Sequence, residues 1–329
     1  MSIIRRTLRF RAAVALCACW LTSAAIAEPV CARRDAAAPG LESLSAAMQH
    51  GRFVAYSPTA IKVIAGHPTR ADGASIRADL AVLRPRFDSL VTYGALNGAE
   101  SIPEFADALG FRALVIGIWN PFDDTEVAAA LAAAARYPRL VVGISVGNEL
   151  LFAKRRPSAA LVRRIEEIRT RLPRLPLATT EPFHVFYGAD ARGLLGELDF
   201  LLVNVHPVFQ PWFRNAPDAN AAAFVTGVVE ELSRAYCGPI LVKETGVPTA
   251  PDYKGFSDAR QASFYRELRQ RFAPTGQRAF AYFTAFDAPW RVADEQAAPG
   301  VHPEEAHWGL YEEGRKPKPV VREIPELVR

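Results

Sequence analysis

Two glutamates each follow a short apolar run, and a pair of carboxyl groups can act as nucleophile and as proton donor. Glu149 comes directly after Val146-Gly147-Asn148, and Glu244 comes directly after Leu241-Val242-Lys243. Retaining cleavage of a glycosidic bond needs two carboxyl groups about 5–5.5 Å apart. The competing interpretation is that both are solvated surface residues, the common fate of glutamate. The first interpretation requires a fold that brings the two ends together.

The rest of the chain predicts such a fold. Short β-rich runs alternate with helical stretches from residue 52 onward, and several runs are continuously apolar, as in strands buried on both faces of a parallel sheet. We predict strands at 53–57, 88–93, 112–118, 140–146, 176–180, 199–205, 239–243 and 279–286. We predict helices near 74–84, 99–109, 124–136, 158–171, 219–236 and 257–272, with a short one at 190–197 and caps at Asp124 and Ser257.

Eight repeated βα units favour a closed (β/α)₈ TIM barrel over an open doubly wound sheet. No long polar linker divides the chain, so residues 52–329 are predicted to form a single α/β domain, with the Pro-rich tail crossing its surface. In such barrels, chemistry takes place at the C-terminal strand ends, where the loops converge. Glu149 follows the fourth predicted strand and Glu244 ends the seventh, so their carboxyl groups are expected to face one another.

At these residues the chain resembles glycoside hydrolase family 17. The similarity lies in Asn148-Glu149, in Glu244-Thr245-Gly246-Val247-Pro248, in Asn204-Val205-His206-Pro207-Val208-Phe209, and in two C-terminal segments, 285–290 and 307–311. The resemblance implies cleavage or transfer of β-1,3-linked glucan without a metal or organic cofactor. Glu149 would be the acid/base and Glu244 the nucleophile. Val247, where the family usually has Trp, and Ala288, where an acidic residue is common, leave the exact glucan and the endo or exo mode open.

Further residues are candidates for substrate binding. Asn148 is expected to hydrogen-bond the sugar 2-hydroxyl, a contact that strengthens in the transition state, and His206 could orient the Glu244 carboxylate. Aromatic rings cover the C–H faces of sugars. The aromatic candidates lie at or just beyond predicted strand ends: Tyr56, Tyr93, Trp119, Phe209, Trp212 and Trp290.

Two alternative functions remain open at the level of sequence. Gly143-Ile144-Ser145-Val146-Gly147 matches the Gly-x-Ser-x-Gly elbow of serine esterases, and Asp287 and His307 could complete a triad in the right order. The apolar run continues through Val146, however, whereas an elbow needs the strand to end at the serine. The second alternative is a carbohydrate-binding barrel that has lost catalysis.

The N-terminus predicts export to the periplasm or the extracellular space. Residues 1–27 combine four arginines, an apolar run and Ala25-Ile26-Ala27, which is typical of a cleaved signal peptide, and 28–51 would be a lead-in segment. Lipid attachment at Cys19 is the less favoured alternative. Cys31 and Cys237 would remain after cleavage and could pair in an oxidising compartment.

Charge and histidine spacing narrow the class of partner. Loss of residues 1–27 changes the balance from 39 basic and 35 acidic residues to 35 and 35. A neutral protein gives no electrostatic reason to expect nucleic acid or anionic lipid as a partner, whereas a neutral glucan fits. No stretch after residue 27 approaches 18 apolar residues, so stable membrane insertion is not expected either. The six histidines are scattered, so no metal site is expected.

Overall fold

Eight parallel strands close into a barrel in the computed structural model, which describes residues 38–293 and 302–328. The closure is made where Phe53 of the first strand pairs with Ala281 of the last. The architecture confirms the prediction of a (β/α)₈ barrel. The barrel strands are β1 (Phe53–Ala55), β2 (Ser89–Val91), β3 (Ala113–Ile118), β4 (Val141–Asn148), β5 (Leu177–Pro182), β6 (Leu201–Asn204), β7 (Ile240–Glu244) and β8 (Arg278–Tyr282).

Helices follow the strands at or near the predicted positions, except the first, which precedes the barrel and was not predicted. They are α1 (Leu41–His50), α2 (Gly73–Leu83), α3 (Ile102–Ala108), α4 (Asp124–Arg136), α5 (Ser158–Arg171), α6 (Arg192–Leu195), α7 (Asp218–Ala235) and α8 (Asp258–Arg271). Ser257 caps α8, since its side chain accepts a hydrogen bond from the Arg260 amide. The predicted cap at Asp124 is wrong: Asp123 has the extended backbone that a cap requires and accepts from the Thr125 and Glu126 amides, so Asp124 is the first helical residue.

Helix α1 lies in the segment predicted only as a lead-in, and it closes the N-terminal end of the barrel. Leu44 and Met48 are fully buried in an apolar cluster that includes residues from all eight barrel strands, among them Phe53, Val142 and Leu241. Leu41, Leu44 and Met48 have helical spacing, so one face of α1 covers the barrel floor. The floor is therefore closed to ligands, and the opposite end is the open one.

The C-terminal segment crosses the outside of the barrel, as the Pro-rich tail predicted. Its 3₁₀ turn, Pro319–Glu323, packs against α8 and buries Val320 and Val321. A small antiparallel hairpin, Val63–Ile64 with His67–Pro68, follows β1 and contacts the 3₁₀ turn Pro289–Ala293 after β8. Within residues 38–293 and 302–328, no helix has the length and apolar character needed to cross a bilayer.

Candidate active site

Strand β4 extends to Asn148, with a shift in its pairing with β5 between Ser145 and Asn148, and then turns sharply at Glu149. The turn uses left-handed backbone at Gly147 (φ 88°) and at Glu149 (φ 54°), a conformation that a residue with a side chain seldom adopts. A Cβ atom on Gly147 would lie 2.6 Å from Cδ1 of Leu150, so the contact and the positive φ together favour glycine there. The Glu149 amide donates to the Thr180 carbonyl on β5 at 2.8 Å. Glu149 is thus held at the mouth of the barrel in an unusual backbone conformation, which is characteristic of functional sites.

Glu244 ends β7, and both of its carboxylate oxygens have charged or polar neighbours. His206 Nε2 lies 3.3 Å from Glu244 Oε2, and Lys243 Nζ lies 3.6 Å from Glu244 Oε1. The following glycine, Gly246, has no room for a side chain, because a Cβ there would lie 2.2 Å from the Phe283 carbonyl oxygen. The loops after β7 and β8 therefore approach each other closely beside Glu244. The predicted contact between His206 and Glu244 is present.

Two side chains link the glutamates into one cluster. Asn204 stands opposite Glu244 in the pairing of β6 with β7, and its Nδ2 donates to Glu149 Oε1 at 2.8 Å. Lys243 Nζ donates to Asn148 Oδ1 at 2.5 Å and also lies beside Glu244. The two carboxylates thus occupy the same polar site, as their positions after the fourth and seventh strands led us to expect.

The surroundings push the pKa values of the two carboxyl groups in opposite directions. Burial, reinforced by the nearby Glu244 charge, raises the pKa of Glu149. Burial alone would also raise that of Glu244, but the hydrogen bond from His206 and the charge of Lys243 outweigh it and lower the pKa of Glu244 to about 2. One group is set up to hold a proton and the other to stay ionised. That is the division of roles that acid and nucleophile require.

The predicted aromatic residues lie in different surroundings. Phe209 is 58% exposed, with its ring 5.5 Å from that of His206. Trp212 contacts the rings of Phe213 and Phe224 instead. Trp119 is 47% exposed beyond β3. Contact of these rings with a sugar stays a prediction.

Tyr93 lies against Lys243, and Trp290 lies against Arg291. The Tyr93 ring lies 4.1 Å beneath the Lys243 ammonium, and burial together with the Glu244 charge raises the pKa of its hydroxyl. Trp290 is partly buried in the turn after β8, where the Arg291 guanidinium lies over its ring.

Tyr56 is not available to a substrate, and the prediction that it binds one is wrong. The residue is fully buried, and its hydroxyl donates to Asp79 Oδ2 at 2.9 Å. Asp79 also accepts from the Thr59 amide and hydroxyl and from Arg315 Nε. Tyr56 therefore belongs to a structural network outside the carboxylate site, because its side chain points to α2 and not to the mouth.

Several residues of the site were not predicted from the sequence. Asn204 and Lys243 were parts of motifs without an assigned role. Phe283 and Trp308 pack with His206 in a triangle of rings whose centroids are 5.1–5.3 Å apart. Trp308 lies in the segment 307–311 that resembles family 17, whereas Phe283 was predicted only as part of the eighth strand, 279–286.

Unpartnered polar atoms mark this end of the barrel as a place for a polar ligand. Within the described residues, the buried atoms without a hydrogen-bond partner include Asn204 Oδ1, His206 Nδ1, Thr245 Oγ1 and Trp308 Nε1 among the site residues, and Arg169 Nε, Thr179 Oγ1 and Gln261 Oε1 besides. A buried group left unsatisfied costs about 1–3 kcal/mol, so such a concentration calls for an explanation. A polyhydroxylated ligand such as a sugar would satisfy these donors and acceptors.

The geometry contradicts the serine esterase alternative. Ser145 is 1% exposed, and its hydroxyl contacts the Gly147 carbonyl at 3.1 Å and the Thr180 hydroxyl at 2.8 Å. Strand β4 continues three residues beyond it, so there is no turn that would expose the serine. Asp287 is already occupied by Lys318 and by the Gly309 amide.

The closed barrel, with paired carboxylates at its mouth and polar atoms left for a sugar, defines the chain as a glycoside hydrolase of the (β/α)₈ class. It belongs to the BtgE/BtgC glycoside hydrolase family, whose model matches residues 54–309.

Similarity to individual proteins agrees with this assignment. The chain is 29% identical over 269 residues to a glucan 1,3-beta-glucosidase of Arthroderma benhamiae, covering 75% of this chain and 84% of that protein. It is 25% identical over 244 residues to a glucan 1,3-beta-glucosidase of Schizosaccharomyces pombe, covering 68% and 74%. Its fold is similar to that of a glycoside hydrolase family 17 beta-1,3-glucanosyltransferase from Rhizomucor miehei, with a TM-score of 0.64, 22% identity and coverage of 83% and 97%.

Proposed function

We propose that the protein cleaves β-1,3-linked glucan or gluco-oligosaccharides with retention of configuration, using Glu149 as acid/base and Glu244 as nucleophile. The observation that carries the proposal is the polar cluster that joins the two glutamates while shifting their pKa values apart. The names of the two fungal relatives support the choice of linkage.

The reaction follows from the protonation states. The ionised Glu244 attacks the anomeric carbon, and the bond to the leaving oxygen breaks as protonated Glu149 gives that oxygen its proton. The Glu149 carboxylate then takes a proton from water or from a sugar hydroxyl, whose oxygen displaces Glu244 from the anomeric carbon. His206 and Lys243 keep the nucleophile ionised, whereas Asn204 holds the acid/base in place.

Variants at the two glutamates test the assignment. Glu244→Ala removes the nucleophile and should abolish turnover, with the barrel intact by circular dichroism. Glu149→Ala should retain the first step on a dinitrophenyl β-glucoside, whose leaving group needs no proton, and azide should restore the second step and give a β-glycosyl azide. Glu230→Ala, an exposed position on α7, is the matched control. Full activity of either active-site variant on glucan would remove that residue from the mechanism.

Product analysis separates cleavage from transfer and tests the linkage. The protein is incubated with β-1,3-, β-1,6- and mixed-linkage gluco-oligosaccharides, and the products are measured by mass spectrometry. We expect turnover of the β-1,3-linked series. Products longer than the substrate would show that a sugar hydroxyl replaces water in the second step. Binding without turnover of any of them would favour the carbohydrate-binding alternative.

We also propose that the protein is exported after cleavage behind Ala27. Cys237 is disulfide-bonded, which suits an oxidising compartment; Cys31 and the whole signal segment lie outside the described residues. N-terminal sequencing of the protein purified from its native host should begin at Glu28, whereas a start at Cys19 with attached lipid would favour a lipoprotein.

A further inference from the structure

Lys243 is a buried cation in the middle of the site. Its side chain is 1% exposed, and its ammonium has three neighbours: Asn148 Oδ1 at 2.5 Å, the Tyr93 ring at 4.1 Å and Glu244 Oε1 at 3.6 Å. Removal of an ammonium from water costs several kcal/mol unless partners compensate. A structural role would be served equally well by an apolar side chain of similar length, so this arrangement calls for a reason connected with the site.

We propose that Lys243 is a positioning residue that fixes the orientation of the Asn148 amide and thereby enables the protein to recognise the 2-hydroxyl of the donor sugar. The inference rests on the proposed function, since it concerns the sugar whose anomeric carbon Glu244 attacks.

The two ends of the Asn148 side-chain amide differ in their hydrogen bonding. A side-chain amide has an acceptor end, Oδ1, and a donor end, Nδ2, of nearly the same shape. The ammonium of Lys243 can only donate a hydrogen bond, so it pairs with the acceptor Oδ1 and repels the donor Nδ2. With Lys243 present, Asn148 is therefore held with Nδ2 turned away from the cation. Without it, the two orientations become closer in energy.

An Asn148 amide held in one orientation can recognise a sugar hydroxyl. A held Nδ2 presents N–H donors to the oxygen of a hydroxyl at a fixed position, and a pre-oriented donor costs nothing to reorganise when the bond is formed. Asn148 immediately precedes Glu149, and Lys243 immediately precedes Glu244. One hydrogen bond thus joins the strand ends that carry the two carboxylates, and it orients a sugar-binding group between them.

The same ammonium acts on the nucleophile. Lys243 approaches one carboxylate oxygen of Glu244 while His206 contacts the other. Burial raises the pKa of Glu244, and the hydrogen bond from His206 and the charges of Lys243 and Arg291 together lower it, so Lys243 is one of the groups that keep this carboxylate ionised. Loss of Lys243 should therefore affect two separate measurements, the recognition of the 2-hydroxyl and the acidic limb of the pH profile.

The test compares a dinitrophenyl β-laminaribioside with the analogue that lacks the 2-hydroxyl on the donor sugar. The ratio of the two kcat/KM values measures recognition of that hydroxyl, and intrinsic reactivity cancels when ratios are compared between variants. We expect Lys243→Met to reduce the ratio about tenfold, the factor that one ordinary hydrogen bond supplies, and to move the acidic limb to higher pH. Lys316→Met, an exposed lysine, should leave both unchanged.

A second variant keeps the test decisive if Lys243→Met does not fold. Lys243→Gln replaces the ammonium by a neutral amide, which has both a donor and an acceptor and can therefore pair with either end of the Asn148 side chain. We expect it to fold and to show the same reduced ratio. An unchanged ratio in either folded variant would overturn the proposal, even if overall activity falls. Failure of the unaltered protein to cleave the laminaribioside would instead overturn the proposed function.

Discussion

Asn204 and Glu149 are joined by a 2.8 Å hydrogen bond that runs from β6 to the residue after β4, across the mouth of the barrel. The bond stabilises the charged form of the carboxyl and opposes the rise in the Glu149 pKa that burial and the Glu244 charge produce. Asn204 therefore affects both the position of the acid and the pH at which it loses its proton.

Substitution of Asn204 by Ala should move the basic limb of kcat/KM to higher pH. The acid is active when protonated, and the lost hydrogen bond favours the protonated form, so the pKa of Glu149 rises. The rate at the optimum should fall about tenfold or more, because the carboxyl is no longer aimed at the leaving oxygen. Asn220→Ala on the exposed face of α7 is the control. A basic limb that stays in place, or moves to lower pH, would contradict this role.

Periodicity and strand-end positions were sufficient for the barrel and for the pair of carboxylates. The barrel followed because parallel strands buried on both faces are continuously apolar, and Glu149 and Glu244 followed because such strands end at one mouth. Helix α1 was missed because ten residues preceding the first strand gave no βα repeat to match. The cap at Asp123 was missed because two adjacent aspartates are equivalent until the backbone angles are known.

The supporting residues could not be predicted from local pattern, because their roles depend on contacts distant in sequence. Lys243 follows three apolar residues in β7 and could have pointed to solvent; only the assembled barrel places its ammonium beside Asn148, 95 positions away. Tyr56 shows the opposite error. It follows the first strand, as a substrate-binding residue would, but its hydroxyl donates a hydrogen bond to the buried Asp79 on α2.

We expect Glu181 to make the free energy of unfolding depend on pH. It is fully buried at the end of β5 and accepts from the amides of Leu151 and Phe152, in the loop that follows Glu149. Burial raises its pKa from 4.5 to about 7. Between these values the folded protein binds more protons than the unfolded chain, so this group's contribution to stability is complete below pH 4.5 and is lost as pH rises through 7.

Glu181→Gln should remove that slope. The free energy of unfolding of the variant, minus that of the unaltered protein, should increase between pH 4.5 and pH 7 by an amount on the order of 3 kcal/mol. Any fixed cost of the amide is independent of pH, so the slope is the readout, obtained from urea titrations at several pH values. The exposed Glu230→Gln serves as the reference. Parallel curves for Glu181→Gln and the unaltered protein would show that Glu181 does not titrate in this range.

Phe209 and Trp212 should differ in their effect on substrate binding. Phe209 is exposed beside His206 and Trp308, close to the carboxylates, whereas Trp212 packs against Phe224 and Phe213. Stacking on a sugar would be lost in Phe209→Ala, so KM for gluco-oligosaccharides should rise several-fold with little change in kcat. Trp212→Ala should have the smaller effect on KM. The reverse order would place the sugar path over Trp212.

Tyr56→Phe separates a structural tyrosine from a substrate-binding one. The variant keeps the ring, which packs against Phe286, and removes only the hydroxyl that donates to the buried Asp79. A hydrogen bond to a buried charged group contributes about 1.5–3 kcal/mol, so the midpoint of thermal unfolding should fall by several degrees. Asp79 keeps its bonds from Thr59 and Arg315, which should preserve the fold. Because the hydroxyl points away from the mouth, kcat and KM measured well below the transition should match those of the unaltered protein. A raised KM with unchanged thermal stability would restore Tyr56 to the substrate site.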